Sequence, residues 1–389
     1  MEIKPKLLRV TTVALSLDKL LEGQLEYMSD FFEVTATCSP SETIPRIEER
    51  EAVKIYPITM YRGISPLRDL ISIFKLTKLL IRLKPDIIHS HTPKAGLVAM
   101  SAAFLCNSKV RIHTVAGLPL ESETGLKRKL LILIEKTIYR IATKIYPNSY
   151  SLLNFIKENN LIRNENKLKV ICNGSSNGID LSHFYVSIDV KKQAIELKLK
   201  LGIKDTDFIF TFVGRIVKDK GIEELVEAFQ YVSENRDNVK LLIVGPFENE
   251  RDPISEEVKS ILKSNIDIMS VGLQMDIRPY LALTNVFVFP SYREGLPNVV
   301  LQAGAFKLPT IGTNITGTTD IIEDNVNGLI ANVADSISLY QLMNKLYHSE
   351  SERARLGSNL HKTVTEKYKQ KLVWEALKNE YFNLLDENK

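Results

Sequence analysis

Two cations stand five positions apart in the segment FVGRIVKDKG, residues 212–221. Arg215 and Lys220 follow a run of apolar strand-forming residues, and an acidic segment with helical periodicity comes next. Because the amino end of a helix favours negative charge, two cations beside it would form a site for a diphosphate. The alternative is that both are solvated surface residues, paired with Asp219 or Glu223.

A second segment, VFVFPSYREGLPNVVLQAGAFKLPTIGTN at residues 286–314, predicts a strand, a loop, a helix and another strand. Pro297 suits the first turn of the helix, where its missing N–H costs nothing. Gly295 permits the close approach of a ligand to the backbone. The free amides at the start of this helix, near Leu296, Asn298 and Val299, would form a second site for an anion.

Glu294 and Gln302 lie eight positions apart across this helix, a little over two turns. Their side chains can therefore reach different parts of one ligand. The alternative is that Glu294 caps the helix and Gln302 is exposed.

The remaining chain alternates short β-branched runs with stretches of helical length. The runs are LLRVTT, FEVTAT, DIIHSH, VRIHTV and KIYPNS in the first half, and FIFTFVG, VKLLIVG, VFVFPS and PTIGT in the second. This alternation predicts an α/β protein with two doubly wound, Rossmann-like domains. Ligands bind at the carboxyl ends of strands in such sheets, so we expect the site in a cleft where the two domains face each other.

A polar, glycine-punctuated linker places the domain boundary near residue 184. The predicted domains are 1–184 and 185–371. The chain ends in a predicted helix, about 372–389, with Trp374 and Tyr381 to bury. We expect this helix to pack on the first domain.

Composition is that of an ordinary soluble globular protein, with 44% hydrophobic and 25% charged residues among 389. Three widely separated cysteines, Cys38, Cys106 and Cys172, argue against a zinc site and a disulfide framework. The start MEIKPKLLRV has no apolar core of a signal peptide, and AGLVAMSAAFLC is too short to cross a bilayer. We expect a cytoplasmic protein, or one held on the inner face of the cytoplasmic membrane.

The order and spacing of the two segments resemble the retaining glycosyltransferases of family 4, which have the GT-B fold. The family pairs G-R-x-x-x-x-K-G, here GRIVKDKG, with a later E-x-x-x-x-x-x-x-E, here EGLPNVVLQ. It also has NGID before the second domain, here residues 177–180, and a G-x-x-D/E loop, here GTTD. The resemblance covers essentially all of the chain and is strongest from 208 to 330.

The resemblance implies a role for each residue of the two segments. Arg215 and Lys220, in the donor-binding loop that begins at Gly214, would bind the diphosphate of a nucleotide sugar. They would stabilise the leaving group without a metal. Glu294 would bind hydroxyls of the donor sugar. Gln302 stands where the family has a second acid that binds ribose. A glutamine oxygen still accepts a hydroxyl, but less strongly than a carboxylate, so we expect weaker donor binding.

The first half departs from the family pattern. Many relatives read T-V-H-G where this chain has TVAGLP, so the family histidine falls on Ala116. His113 is either a substitute or a core histidine, since a strand residue can point to either face. Gly23, in LLEGQLEY, stands where relatives have a glycine-bearing acceptor loop.

The segment HSHTPKAG brings His89, His91 and Lys94 to the end of a predicted strand. These residues are expected to line the cleft near the acceptor. No third ligand follows nearby in the sequence, so we expect no metal site.

Basic residues repeat along two predicted helices of the first domain. They are Arg68, Lys75, Lys78 and Arg82 in one helix, and Lys129, Lys136, Arg140 and Lys144 in the other. With a net charge of only +4 over the whole chain, this predicts contact with an anionic membrane. The alternative is a solvated face over a buried leucine stripe. Nucleic acid is not an expected partner, because exposed aromatic residues do not interleave with the cations.

We therefore expect a hexosyltransferase of surface polysaccharide or capsule synthesis that needs no cofactor. The resemblance implies retention and a UDP-sugar donor, with a lipid-diphosphate-linked saccharide as acceptor. One alternative is a non-transferring nucleotide-sugar epimerase of the same fold. Another, suggested by Gln302 and Ala116, is a catalytically weak subunit that binds nucleotide sugars.

Overall fold

Two six-stranded parallel sheets form the frame of the protein in the computed structural model, which describes residues 4–61, 63, 65–121, 123–248 and 252–388. Each sheet belongs to its own compact unit. The first unit contains the described residues of Met1–Gly178 and Gln370–Lys389, and the second contains Ile179–Lys369. The two doubly wound, Rossmann-like domains predicted from the sequence are confirmed.

The second unit begins a few residues before the limit predicted near residue 184. The side chain of Ile179 is buried in the core of the second unit. Its backbone amide donates a 2.8 Å hydrogen bond to the carbonyl oxygen of Tyr368. These contacts place the change of unit inside the NGID segment, between Gly178 and Ile179, rather than after it.

The sheet of the first unit has the order β3-β2-β1-β4-β5-β6. Its strands are β1 (Lys6–Val10), β2 (Glu33–Cys38), β3 (Lys54–Pro57), β4 (Ile87–His91), β5 (Val110–Val115) and β6 (Lys144–Pro147). Its helices are α1 (Gln24–Ser29), α2 (Ile44–Glu51), α3 (Pro66–Leu83), α4 (Pro93–Leu105), α5 (Gly125–Ile141) and α6 (Tyr150–Glu158). Short helical turns lie at Ser16–Leu20, Pro119–Glu121 and Glu165–Lys167.

Successive side chains of a strand point to opposite faces, and this sheet buries both faces. Leu8 and Val10 of β1 pack in one core with the buried residues of α3, α4 and α5. Leu7 packs in a second core, on the opposite face, with Leu25 of α1 and with the C-terminal helix. Arg9, next to Leu8 along the same strand, is also fully buried.

The C-terminal helix, Gln370–Asp386, packs on the first unit, as the sequence predicted. Leu377 and Tyr381 lie in a core of that unit. Trp374 donates a 2.6 Å hydrogen bond to the amide oxygen of Asn177. Tyr381 accepts a 2.9 Å hydrogen bond from the guanidinium of Arg9. The helix is therefore fixed by apolar packing and by polar contacts.

The sheet of the second unit has the order β12-β11-β10-β7-β8-β9. Its strands are β7 (Phe208–Val213), β8 (Val239–Val244), β9 (Ile268–Ser270), β10 (Val286–Phe289), β11 (Thr310–Thr313) and β12 (Leu329–Ala331). Its helices are α7 (Ile188–Lys200), α8 (Ile222–Ser233), α9 (Glu256–Ser264), α10 (Arg278–Leu283), α11 (Asn298–Ala305), α12 (Thr318–Ile321), α13 (Ser336–His348) and α14 (Glu350–Lys367), with a 3₁₀ turn at Lys218–Lys220.

The strands of both sheets follow the same order when they are numbered along the chain within each unit. In each sheet, the first strand lies between the second and the fourth. Chain connections on the two sides of that strand run in opposite directions along the sheet. The gap between the first and fourth strands is the topological switch point, where loops diverge and ligands bind.

The structure corrects two details of the sequence analysis. Strands β3, β9 and β12 were not predicted, because these short strands lie at sheet edges and are only partly buried, so they give short apolar runs. The second basic stripe was predicted to include Lys144, which is wrong. Helix α5 ends at Ile141, and Lys144 begins β6, 3.9 Å from the carboxylate of Glu387.

No helix in the described part of the chain combines the length and the apolar character needed to cross a bilayer.

We expect Tyr381→Phe to destabilise the protein by about 2–4 kcal/mol. Burial raises the pKa of Tyr381 to about 12, so the phenol stays protonated and bonds both Arg9 and, at 2.5 Å, His89 Nδ1. Removing the oxygen leaves a buried guanidinium without one acceptor. Thermal and urea unfolding measure the loss. Tyr231→Phe is the control, because that phenol bonds an exposed carboxylate, Glu227. Equal shifts for the two variants would contradict the prediction.

Candidate active site

Strands β7 and β10 lie side by side and parallel, with Phe210 opposite Val286 and Thr211 opposite Phe287. The loops that follow them therefore leave the same edge of the sheet together, at the switch point of the second unit. We call residues 214–221 and 290–297 the switch-point loops. They contain all three residues predicted to be catalytic, Arg215, Lys220 and Glu294.

A glycine lets the switch-point loops touch. Gly221 has φ of 67°, in the left-handed region, and immediately precedes α8. A Cβ atom at this position would lie 2.1 Å from the backbone oxygen of Pro290. Any other residue would thus combine backbone strain with a collision against the opposite loop. The pattern K-G in the first loop is needed for the contact between the loops.

The side chains of Lys220 and Glu294 form an ion pair across the two loops. Their exposed fractions are 12% and 20%, so the pair is partly shielded from water. The hydroxyl of Ser291, itself fully buried, lies 3.4 Å from the Lys220 ammonium and donates to the Glu294 carboxylate at 3.3 Å. The structure brings a cation and a carboxylate together at the switch point.

The alternative partners considered for Lys220 are wrong. Asp219 pairs instead with Arg293, and the carboxylate of Glu223 lies 3.8 Å from Lys218. Glu294 pairs with Lys220, and α11 has no side-chain cap among the described residues. The interpretation of Glu294 as a helix cap is therefore also wrong.

Arg215 lies in the same loop but in a different ion pair. Its guanidinium donates a 2.8 Å hydrogen bond to Glu248, a residue that follows β8, and its side chain is 43% exposed. Arg215 and Lys220 are thus each paired with a carboxylate. An anionic ligand would compete with Glu248 and Glu294 for the two cations. That both cations bind one diphosphate stays a prediction.

Helix α11 begins at Asn298, directly after Pro297. The first backbone amides of any α-helix have no hydrogen-bond acceptor within the helix. In α11 these amides follow Glu294 by only a few residues. Gly317 supports this arrangement from the loop after β11. A Cβ atom on Gly317 would lie 2.1 Å from the backbone oxygen of Gly295. Loops after three adjacent strands therefore meet around Gly295.

Gln302 is half-buried on α11, so the interpretation that it is exposed is wrong. Its side-chain oxygen is buried and has no hydrogen-bond partner in the described part of the chain. Leaving a buried acceptor unpaired costs about 1–3 kcal/mol. The Gln302 oxygen is thus an acceptor that a hydroxyl group of a ligand could satisfy.

Gly23 and His113, predicted near the acceptor, are engaged within the first unit. The amide of Gly23 donates a 2.8 Å hydrogen bond to the buried carboxylate of Glu51. His113 is buried, and its Nδ1 lies 2.9 Å from the hydroxyl of Ser90. Burial lowers the pKa of His113 to about 4. This environment fits the interpretation of His113 as a core histidine.

His91 and Lys94, the other two predicted residues of that region, are also paired. His91 Nε2 accepts a 2.6 Å hydrogen bond from Arg9. Burial and the charge of Arg9 hold the pKa of His91 well below its usual range, so the ring is neutral. Lys94 forms a 2.6 Å ion pair with Asp69, and about nine-tenths of each side chain is buried. Neither residue presents a free charge to a ligand.

The sequence did not single out three residues that contact the predicted catalytic residues or their neighbours: Ser291, Arg293 and Glu248. Ser291 and Arg293 lie inside the second segment, but their partners depend on strand order, which the segment does not encode. No group of three or more histidine, cysteine, aspartate or glutamate side chains in the described ranges is placed to hold a metal ion.

Comparisons with known proteins agree with this architecture. The family model described as Glycosyl transferases group 1 matches residues 194–363, and the Glycosyl transferase 4-like domain matches residues 24–174. The capsular polysaccharide biosynthesis glycosyltransferase CapM of Staphylococcus aureus is 36% identical over 384 residues, 98% of each chain. The UDP-Gal:alpha-D-GlcNAc-diphosphoundecaprenol alpha-1,3-galactosyltransferase of Escherichia coli is 30% identical over 340 residues, 86% of this chain and 83% of that one.

Solved structures share the fold. HepE of Anabaena, in complex with UDP and glucose, superposes with a TM-score of 0.82 at 16% identity, over 97% of this chain and 100% of that chain. Together with the matched domains, these similarities confirm the resemblance seen in the two segments. This chain belongs to the GT4-type glycosyltransferases of the GT-B fold, and it is an enzyme of bacterial polysaccharide synthesis.

Proposed function

We propose that this enzyme transfers a hexose from a UDP-sugar to a lipid-diphosphate-linked saccharide, with retention at the anomeric carbon. The Lys220–Glu294 pair at the switch point of the second unit carries the proposal. A nucleotide sugar offers an anionic diphosphate next to a ring of hydroxyls, and this pair offers a cation next to a carboxylate. The E. coli relative, whose name states a UDP-galactose donor and a diphosphoundecaprenol-linked acceptor, supports both substrate classes.

Lys220 and Arg215 are the proposed electrostatic catalysts. As the bond between the anomeric carbon and the diphosphate breaks, negative charge grows on the departing phosphate oxygens. The ammonium of Lys220 and the guanidinium of Arg215 stabilise that charge more strongly than they stabilise the intact donor, which lowers the barrier. Glu294 accepts hydrogen bonds from donor-sugar hydroxyls and so orients the sugar. With two cations in this role, we expect neither a metal nor a cofactor.

Retention requires the acceptor hydroxyl to attack the anomeric carbon on the same face of the sugar from which the leaving group departs. In the proposed course, the departing phosphate oxygen takes the proton of that hydroxyl while the new carbon–oxygen bond forms. A side-chain base is then unnecessary, which agrees with Ala116 at the position of the family histidine. The anomeric configuration of the product, read by NMR, distinguishes retention from inversion.

The remaining donor-binding residues act on the nucleotide. The loop after Gly214 carries both cations, and Gly295 and the first amides of α11 follow Glu294 directly in the chain, so these groups suit the diphosphate. Gln302, whose buried oxygen has no partner in the described ranges, suits a ribose hydroxyl. One hydroxyl donor would satisfy that oxygen.

Helices α3 and α5 support a peripheral contact with a membrane. Both pack against α4 in the first unit. Beside its basic residues, α3 exposes Leu67 by 78% and Phe74 by 59%, and α5 exposes Leu126 by 83%. A solvated face over a buried leucine stripe would hide such side chains. Exposed apolar and basic residues on one helix are typical of helices that lie in the interface of an anionic membrane.

We expect the purified enzyme to release UDP from a UDP-hexose only when a diphospholipid-linked saccharide is present. Lys220→Ala should lower kcat roughly 10²- to 10³-fold, the loss typical of removing one group that stabilises developing charge. Lys218→Ala is the matched control: it lies in the same turn, but it is exposed and pairs with Glu223. Wild-type turnover by Lys220→Ala would refute the role of Lys220. Conversion of the donor without acceptor would instead favour the epimerase alternative.

Gln302→Glu should bind UDP about tenfold more tightly, because a carboxylate accepts a ribose hydroxyl more strongly than an amide does. Without ligand the same variant should melt at a lower temperature, since its charge is half-buried and unpaired. Gln302→Met, of similar shape, should bind UDP more weakly. Calorimetric titration and thermal shift measure these changes. Unchanged UDP affinity in both variants would remove Gln302 from the ribose site.

Vesicle sedimentation tests the membrane contact. We expect binding to vesicles that contain an anionic phospholipid, and little binding to zwitterionic vesicles. Leu70→Ser with Phe74→Ser should weaken binding severalfold, because both side chains are exposed on α3. Ile188→Ser with Leu199→Ser, two exposed apolar residues of α7 in the second unit, serves as the control. Equal binding by the two double variants would argue against α3 as the contact.

A further inference from the structure

We propose that Asp219 and Arg293 are positioning residues, whose ion pair sets the alignment of the switch-point loops so that Lys220 meets Glu294. This inference rests on the proposed function, in which Lys220 and Glu294 act on the donor. Asp219 and Arg293 themselves need not touch a substrate.

Two ion pairs of opposite polarity stand side by side across the loops. The Asp219 carboxylate lies 2.7 Å from the guanidinium of Arg293, and at the next position of each loop Lys220 pairs with Glu294. The first loop thus reads negative then positive, and the second reads positive then negative. Sliding one loop past the other by a single residue would put like charges opposite each other.

Backbone contacts hold the loops together, but they do not determine which charged side chains pair with each other. The amide of Tyr292 donates a 2.9 Å hydrogen bond to the carbonyl oxygen of Asp219, and the hydroxyl oxygen of Ser291 lies 3.3 Å from the same oxygen. Gly221 lies against Pro290. None of these contacts depends on whether position 219 is charged. The choice of side-chain partners is left to the ion pairs.

The Asp219–Arg293 pair also removes two competitors for the catalytic residues. Free of Arg293, the Asp219 carboxylate would attract the ammonium of Lys220, its neighbour in the chain. Free of Asp219, Arg293 would attract the carboxylate of Glu294. Exposed fractions of 14% for Asp219 and 30% for Arg293 keep this electrostatic choice stronger than it would be at an open surface.

The geometry of the pair indicates alignment rather than maximal stability. Only one oxygen of Asp219 contacts Arg293, through Nη2. The other oxygen, Oδ1, and the Nε of Arg293 are both buried and have no hydrogen-bond partner among the described residues. A guanidinium and a carboxylate gain most from two parallel hydrogen bonds. The loops hold these two groups in a single-bond arrangement that leaves two polar atoms unsatisfied.

The test measures kcat and donor KM for Asp219→Asn and Arg293→Gln, in the wild-type protein and in the Lys220→Ala variant. In the wild-type background, we expect each change to lower kcat roughly 10- to 100-fold, the effect of misplacing a catalytic group by about 1 Å. In the Lys220→Ala background, the same changes should cost markedly less, because one of the two groups that they position is already gone.

Asp267→Asn is the matched control. Asp267 forms a partly buried ion pair with Lys240 in the same unit, away from the switch-point loops. This variant should leave kcat within about twofold in both backgrounds. Thermal unfolding shows which variants fold. If Asp219→Asn does not fold, Arg293→Gln still tests the ion pair, because it changes the partner on the other loop.

Three results would overturn the inference. The first is a loss for Asp219→Asn and Arg293→Gln no larger than that of Asp267→Asn. The second is a full additional loss in the Lys220→Ala background, which would indicate general structural damage; the proposed function would survive both results. The third is wild-type turnover by Lys220→Ala, which would overturn the proposed function together with the inference.

Discussion

The site of the second unit depends on the parallel pairing of β7 with β10. Lys220 and Glu294 are 74 positions apart in the chain, and only this pairing sends the loops that carry them out of the sheet side by side. The strand order makes the meeting possible, and Gly221 makes it close, because a side chain at that position would collide with the backbone of Pro290. Charge then decides which side chains face each other across the contact.

The sequence predicted the fold class, the positions of most strands and the residue types of the site, because each is encoded locally. Apolar runs of five or six residues mark buried strands, and Pro297 marks the start of α11. The partners of the charged residues were not predictable in the same way. Asp219 stands next to Lys220 in the chain but pairs with Arg293, because β10 and not β8 brings the second loop to that side.

In the first unit, the sequence indicated polar residues but not their surroundings. His89, His91 and Lys94 follow one another at the end of a strand, which suggested polar cleft lining. The structure buries the two rings in a network with Arg9 and Tyr381, and the C-terminal helix supplies the phenol from the other end of the chain. Nothing near His89 in the sequence signals that partner. A buried polar network assembled from distant segments is visible only once the fold is known.

The two units share the same strand order, so each has one switch point. The side chains at the two switch points differ in charge. In the second unit they are ionic, with Lys220 and Glu294 partly open to water. In the first unit the residues that follow β1 and β4 are hydroxyls: Thr12 and Thr92 lie 2.6 Å apart. The nearest cation along the chain, Lys94, is committed to Asp69.

Thr92 itself has φ of 76°, a conformation that costs a β-branched residue about 1–3 kcal/mol and is retained mainly where function demands it. The switch point of the first unit thus offers neutral hydrogen-bonding groups on a strained backbone, whereas that of the second unit offers charge. The proposed transfer separates charge at a diphosphate and consumes a neutral hydroxyl, so it calls for side chains of both kinds. Within one chain, the same topology supplies each of them by a change of side chains at the ends of the same two strands.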